Sequence, residues 1–137
     1  MANFIYGKAK ESLLKGEINL LANQIKALMI DTSLYSPSQN ADQFVSDIPT
    51  AAIKFDTTAL QSVSITLGVI DAEDLLVPNY PGNAFGALVL FQVGSSNTNS
   101  RLLFYIDTAV GLPFTGSIST SPVTIIWDNG PNKIIAL

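Results

Sequence analysis

The sequence predicts a mainly β fold, an antiparallel β-sandwich or jelly-roll-like barrel that carries a short N-terminal α-helix. Three observations carry this. Apolar runs rich in β-branched and aromatic residues recur at short intervals, and each is bounded by Gly, Pro, Asn or Ser clusters. Two of these runs flank Asp128-Asn129-Gly130-Pro131, and Asn-Gly between such runs is the strongest short-range signal for strand reversal. The third observation is a helical period confined to the first residues. At 137 residues the chain is expected to be a single domain, 1–137, with a helix over 1–16 and the sandwich over 17–137. That length buries roughly 65 to 70 % of the unfolded chain's surface, so neither metal nor disulfide is needed to hold it.

In order, Asn3 can cap a helix whose Ile5, Ala9 and Leu13 share one face, with Lys15 in its last turn and Gly16 just beyond. Glu17 to Leu21 and Gln24 to Asp31 alternate with a period of two and suggest a first hairpin across Ala22-Asn23. Thr32 to Gln39 is turn-like. Asn40-Ala41-Asp42-Gln43 has the form of a capping box, which places a short helix near 41–48 before Pro49 blocks continuation. Val63, Ile65, Leu67 and Val69 alternate with Ser62, Ser64, Thr66 and Gly68, as in one strand with a wet face. After Leu75-Leu76-Val77 a turn is expected at Pro78-Asn79-Tyr80-Pro81-Gly82.

Phe85 to Val93, Leu102 to Asp107 and Val123 to Trp127 read as strands apolar on both faces, so both faces must be covered. One cover is the opposing sheet; the other is the helix or a neighbouring subunit. Val123 to Trp127 and Ile134 to Leu137 complete the expected closing hairpin. Ending on Ile134-Ile135-Ala136-Leu137, the last strand is expected to be central or covered.

Composition excludes most chemistry. There is no cysteine and no histidine, which removes thiol chemistry, the usual general base, the usual metal ligand and every Ser-His or Cys-His dyad. Charged residues make up 13 % and apolar residues 47 %, so much of the surface is neutral. The net charge of −4 and the scarcity of Arg and Lys argue against a nucleic-acid partner. The longest unbroken apolar run, about Ala87 to Phe91, is far short of the roughly 20 residues that span a bilayer, and no signal peptide is visible at Met1-Ala2-Asn3-Phe4. The expectation is a protein made in the cytoplasm, with no membrane partner.

Few residues are candidates for a site. Asp71, Glu73 and Asp74 form the one acidic cluster, but lack the alternating oxygen ligands and later bidentate Glu of a calcium loop. No cofactor, metal or catalytic set is expected, and an enzyme is not. Trp127 reads as a core or interface anchor. Candidate interface residues are Lys8 and Lys10, on the basic side of the helix, and Tyr35, Tyr80 and Phe114, which could act as exposed stacking platforms in a carbohydrate-binding module for host attachment.

Several segments in the same order resemble a known family. They are Tyr6-Gly7-Lys8-Ala9-Lys10-Glu11, Leu14-Lys15-Gly16-Glu17-Ile18, Phe44-Val45-Ser46-Asp47-Ile48-Pro49, Gly68-Val69-Ile70-Asp71-Ala72-Glu73-Asp74, Tyr105-Ile106-Asp107-Thr108-Ala109-Val110-Gly111-Leu112-Pro113 and Trp127-Asp128-Asn129-Gly130-Pro131-Asn132-Lys133-Ile134. Together they are similar to a family of small tailed-bacteriophage virion structural proteins, and the likeness runs from about residue 3 to residue 137. The resemblance implies a non-enzymatic particle subunit located in the virion. The leading expectation is a capsid decoration or cement protein that contacts the major capsid protein and copies of itself as a homo-oligomer. A tail or baseplate subunit is the alternative.

Overall fold

A computed structural model describes residues 3–109, 111–116, 121–127 and 134–136. The chain is mainly β and antiparallel, with one short helix. A five-stranded sheet has the order β1 (Phe4–Ile5), β8 (Arg101–Ile106), β7 (Ala87–Gln92), β2 (Ile25–Ile30), β3 (Ile53–Asp56). A second sheet has the order β10 (Ile135–Ala136), β5 (Val69–Asp71), β4 (Ser64–Thr66), and a two-stranded ribbon pairs β6 (Leu75–Tyr80) with β9 (Ser121–Ile125).

Two of the three runs expected to be covered on both faces become the sheet's interior; the third, Val123 to Trp127, is covered on one face only, with Thr124 and Ile126 exposed on the other. In β7 every residue from Ala87 to Phe91 is buried, and in β8 every residue from Leu102 to Ile106. Both covers come from within one copy. The helix α1 (Gly7–Leu14) packs on β8, while Ile70 of β5, Leu75 and Val77 of β6, and Ile125 of β9 join the same core as Val89, Leu90 and Phe104. Each such side chain withdrawn from water stabilises the fold by about 1.5–3 kcal/mol, so these strands need no neighbouring subunit for their burial.

The N-terminus departs from expectation. Residues Phe4 and Ile5 form a strand against Tyr105 and Phe104, and the helix starts only at Gly7. Asn3 is not its cap. Its Oδ1 accepts the N–H groups of Asp107 and Thr108, each at 2.9 Å, and its Nδ2 donates to the Thr108 carbonyl at 3.0 Å, fastening β1 to the end of β8. Gly16 closes the helix as expected, although Lys15 is the C-cap and not part of the last turn. Gly16 lies at φ +75°, its N–H reaches the Leu13 carbonyl and that of Glu17 the Ser12 carbonyl, which is a Schellman closure. Arg101 ties helix to sheet by donating to Ser12 Oγ at 2.9 Å while lying over the Phe44 ring.

Three other segments fold differently from the sequence reading. Glu17 to Leu21 is not a strand, because Asn19 Oδ1 accepts the N–H groups of Leu21 and Ala22 and bends the chain, although Ile18 and Leu20 are buried. The helix near 41–48 is reduced to a 3-10 turn at Val45–Asp47, whose Asp47 accepts the N–H groups of Gln43 and Phe44; a second 3-10 turn, Thr50–Ala52, follows Pro49. The stretch read as one strand from Ser62 to Val69 is a hairpin, β4 and β5, reversed at Leu67-Gly68. Both turn residues have positive φ, +50° and +78°, the signature of a type I′ turn.

The closing hairpin is also corrected. β9 pairs with β6, whereas β10 pairs with β5 in another sheet, so the two runs are not ladder partners. Their expected reversal at Asp128-Asn129-Gly130-Pro131 lies outside the described residues, as does Leu137. β10 is an edge strand of its sheet among the described residues, not a central one. The turn expected at Pro78 to Gly82 begins later, since β6 continues through Tyr80 with an irregularity in its pairing between Val77 and Tyr80.

Candidate assembly surfaces

The tyrosines expected to be open platforms are internal. Tyr80 is fully buried and meets Phe55, Phe85 and Phe114 edge-on, with ring centroids 5.6–5.9 Å apart, and its hydroxyl donates to the Asn83 carbonyl at 2.5 Å. Phe114 is half-buried, stacked on Phe85 and bridged to it through the backbone. Tyr35 is buried too. Its hydroxyl donates to Asp42 Oδ2 at 2.6 Å, so the Tyr6 hydroxyl, 3.0 Å away, is left as donor to Tyr35. Asp42 also accepts the Ser38 N–H at 2.9 Å. Burial raises the pKa of all these phenols, and in Tyr35 the hydrogen bond to Asp42 adds to it. Neither Tyr35 nor Tyr80 can stack on a sugar without leaving the core, which corrects their reading as exposed platforms.

The acidic turn is structural. Glu73 Oε1 accepts the Ser62 hydroxyl at 3.0 Å, and Asp74 Oδ1 accepts the Trp127 N–H at 3.0 Å. The indole Nε1–H donates to the Glu73 carbonyl at 3.0 Å, and Trp127 is buried as an anchor of the core. Elsewhere Asp31 accepts both the hydroxyl and the N–H of Ser33, which holds its carboxyl below the usual range. Among the described residues no three acidic side chains converge as a metal site.

The basic side of the helix is largely self-neutralised. Glu11 sits between Lys8, at 3.3 Å, and Lys15, at 3.7 Å, and its pKa is lowered first by the Lys8 hydrogen bond. Lys8 is half-buried, and Lys10 alone of the two candidate lysines is exposed. Such surface pairs are screened by water and add little to the stability of the fold.

Several large apolar side chains also face outward. On the ribbon, Leu75, Val77, Ile125 and Trp127 point inward, while Leu76 and Ile126 on the opposite face are 55 % and 69 % exposed. Leu76 pairs across from Thr124, two positions before Ile126, so the two apolar side chains share one face diagonally. At the tip of the β4–β5 hairpin Leu67 is 97 % exposed and Ile65 41 %. The concavities are small: a depression of about 290 Å³ beside Tyr35, Gly86 and Asp107, and one of about 250 Å³ between β3 and β6. Sequence reasoning missed Leu76 and Ile126 as a pair. Their signal was the strand partnership of two segments some fifty residues apart, which no local pattern carries. No family model matches the chain, and no curated protein matches it.

Proposed function

We propose that this chain is a non-enzymatic structural subunit of a tailed-bacteriophage virion, and within the virion a capsid decoration or cement protein that bridges adjacent major-capsid subunits. One observation carries most weight beside the sequence resemblance. The core is closed within a single copy, yet Leu76 and Ile126 lie outside it on one face of the β6–β9 ribbon. Apolar side chains that folding does not use, on a surface poor in charge, suit burial against a partner. The carboxylates at Asp42, Asp47, Glu73 and Asp74 hold turns and strand ends in place, which fits a scaffold role. On a shell, many small contacts of this kind would act together, each second contact becoming effectively intramolecular.

The test is an electron-microscopy map of the particle, in which this chain should occupy the outer shell. Density confined to the tail would move it to the baseplate or tail class, and its absence from particles would remove the virion reading. Leu76→Lys combined with Ile126→Lys should leave the fold intact, because both side chains are exposed, and should abolish incorporation into particles.

A further inference from the structure

We infer that the β4 edge is a self-association surface, where two copies pair β4 against β4 about a two-fold axis through Ile65. This deepens the self-association part of the proposed function and rests on it; the location in the particle is a separate question.

Among the described residues this edge carries no protection. Natural edge strands are blunted with Lys, Pro, bulges or a covering element. All three residues of β4 are exposed, β5 is its one strand neighbour among the described residues, and no charged residue or proline occurs from Thr57 to Ile70. In a chain of net charge −4 the edge strand itself carries no charge, the nearest carboxylates, Asp71 opposite Ser64 and Glu73 on Ser62, belonging to β5 and the turn after it.

Its backbone presents the required groups. A two-residue type I′ hairpin closes on Thr66 and Val69 as a hydrogen-bonded pair, so by alternation Ser64 also points its N–H and C=O toward β5. Ile65 therefore turns both groups to the open edge. Two antiparallel copies centred on this residue exchange two hydrogen bonds, Ile65 with Ile65 of the second copy.

The side chains match under the same operation. Val63-Ser64-Ile65-Thr66-Leu67 reads apolar, hydroxyl, apolar, hydroxyl, apolar in either direction. Rotation about Ile65 sets Ser64 opposite Thr66 of the second copy and Ile65 opposite its Ile65. Hydroxyl pairs and β-branched pairs are favourable cross-strand neighbours, and self-complementarity is what a two-fold interface demands. Ile65 shares its face with Ile70, so the joined sheet would carry an isoleucine row across the axis.

Sedimentation equilibrium over a series reaching about 0.5 mM tests this, since a short edge should give a dissociation constant in the micromolar to sub-millimolar range. The wild type should form dimers. Ile65→Lys and Ile65→Glu should each weaken the dimer about tenfold or more through like charges on the axis, and mixing the two should restore a one-to-one dimer. Should circular dichroism show either variant unfolded, Ser64→Lys with Thr66→Lys, at exposed positions, replaces it and should give folded monomers. A wild type that stays monomeric throughout, or a folded variant that dimerises as tightly as the wild type, overturns the inference. Particle incorporation of the folded monomeric variant, measured alongside, separates failure of this interface from failure of the virion reading.

Discussion

Trp127 hangs from the turn that contains Asp74. Its backbone N–H is taken by Asp74 Oδ1 at 3.0 Å, across 53 positions of sequence, while its indole N–H goes to the Glu73 carbonyl. This double attachment fixes the end of β9 to the start of β6, which puts Leu76 and Ile126 on the same outward face. The proposed contact surface thus depends on a turn that has no other chemistry.

That attachment separates two substitutions at one position. Asp74→Ala removes the acceptor and should cost about 1 kcal/mol, whereas Asp74→Asn keeps a carbonyl oxygen there and should cost less than about half of that. Trp127→Phe should cost about 1–3 kcal/mol, because it leaves the Glu73 carbonyl unpaired in a part-buried site. Urea unfolding of the three variants checks the order.

A gain is expected at the β4–β5 turn. Leu67 holds φ +50°, a region that costs an ordinary L-residue about 1–2 kcal/mol, and at 97 % exposure its side chain gains little from the fold in return. Leu67→Asn supplies the Asn-Gly pair that type I′ turns favour and should raise the unfolding free energy by about 0.5–1 kcal/mol. Equal or lower stability in dilute solution would show that the leucine has contacts within its own copy.

The same turn explains what the sequence concealed. Val63, Ile65, Leu67 and Val69 alternate as if in a single strand, but across the hairpin the face of the odd-numbered, exposed Ile65 continues at the even-numbered, buried Ile70. That change of parity was the available signal, and Leu-Gly lacks the side-chain chemistry that announces a turn. The paired runs of β7 and β8 were legible because continuous apolarity has one physical solution, cover on both faces. Asn3, Tyr35 and Tyr80 were misjudged for a common reason. Each has a local meaning as cap or platform, and tertiary partners such as Thr108 and Tyr6, 105 and 29 positions away, overrode it. Asn19 was misjudged locally, since its side chain bends the chain two and three residues on. At the candidate surface Leu76 was visible as an apolar residue, but its exposure was not.

The Tyr6–Tyr35–Asp42 chain should be asymmetric to deletion. Tyr6→Phe removes the terminal donor and leaves Tyr35 bonded to Asp42, a loss of about 0.5–1.5 kcal/mol. Tyr35→Phe strips Asp42 of one donor and strands the fully buried Tyr6 hydroxyl, so about 1–3 kcal/mol is expected. Thermal unfolding of the pair gives the ranking, and a larger loss for Tyr6→Phe would contradict the donor order.

The four tyrosines of the chain, Tyr6, Tyr35, Tyr80 and Tyr105, are all buried, and this determines how stability responds to alkali. Burial raises each phenol, Tyr105 to about 12 with help from nearby Asp107, so the native state keeps its protons where the unfolded chain begins to lose them near pH 10. A folded-state pKa above the unfolded value means that the stabilisation is complete below about pH 10 and disappears as pH rises through the folded value. Each withheld proton then steepens the loss by up to about 1.4 kcal/mol per pH unit. The chain has no histidine or cysteine, the residue types whose ordinary values lie nearest neutrality, so the unfolding free energy should be level from about pH 6 to 9 and fall steeply above 10. Absorbance at 295 nm, followed with circular dichroism, should register no phenolate until the chain unfolds, and then all four phenols together. Phenolate absorbance rising near pH 10 in a folded protein would show that at least one of these rings reaches solvent, and would reopen Tyr35 or Tyr80 as a contact residue.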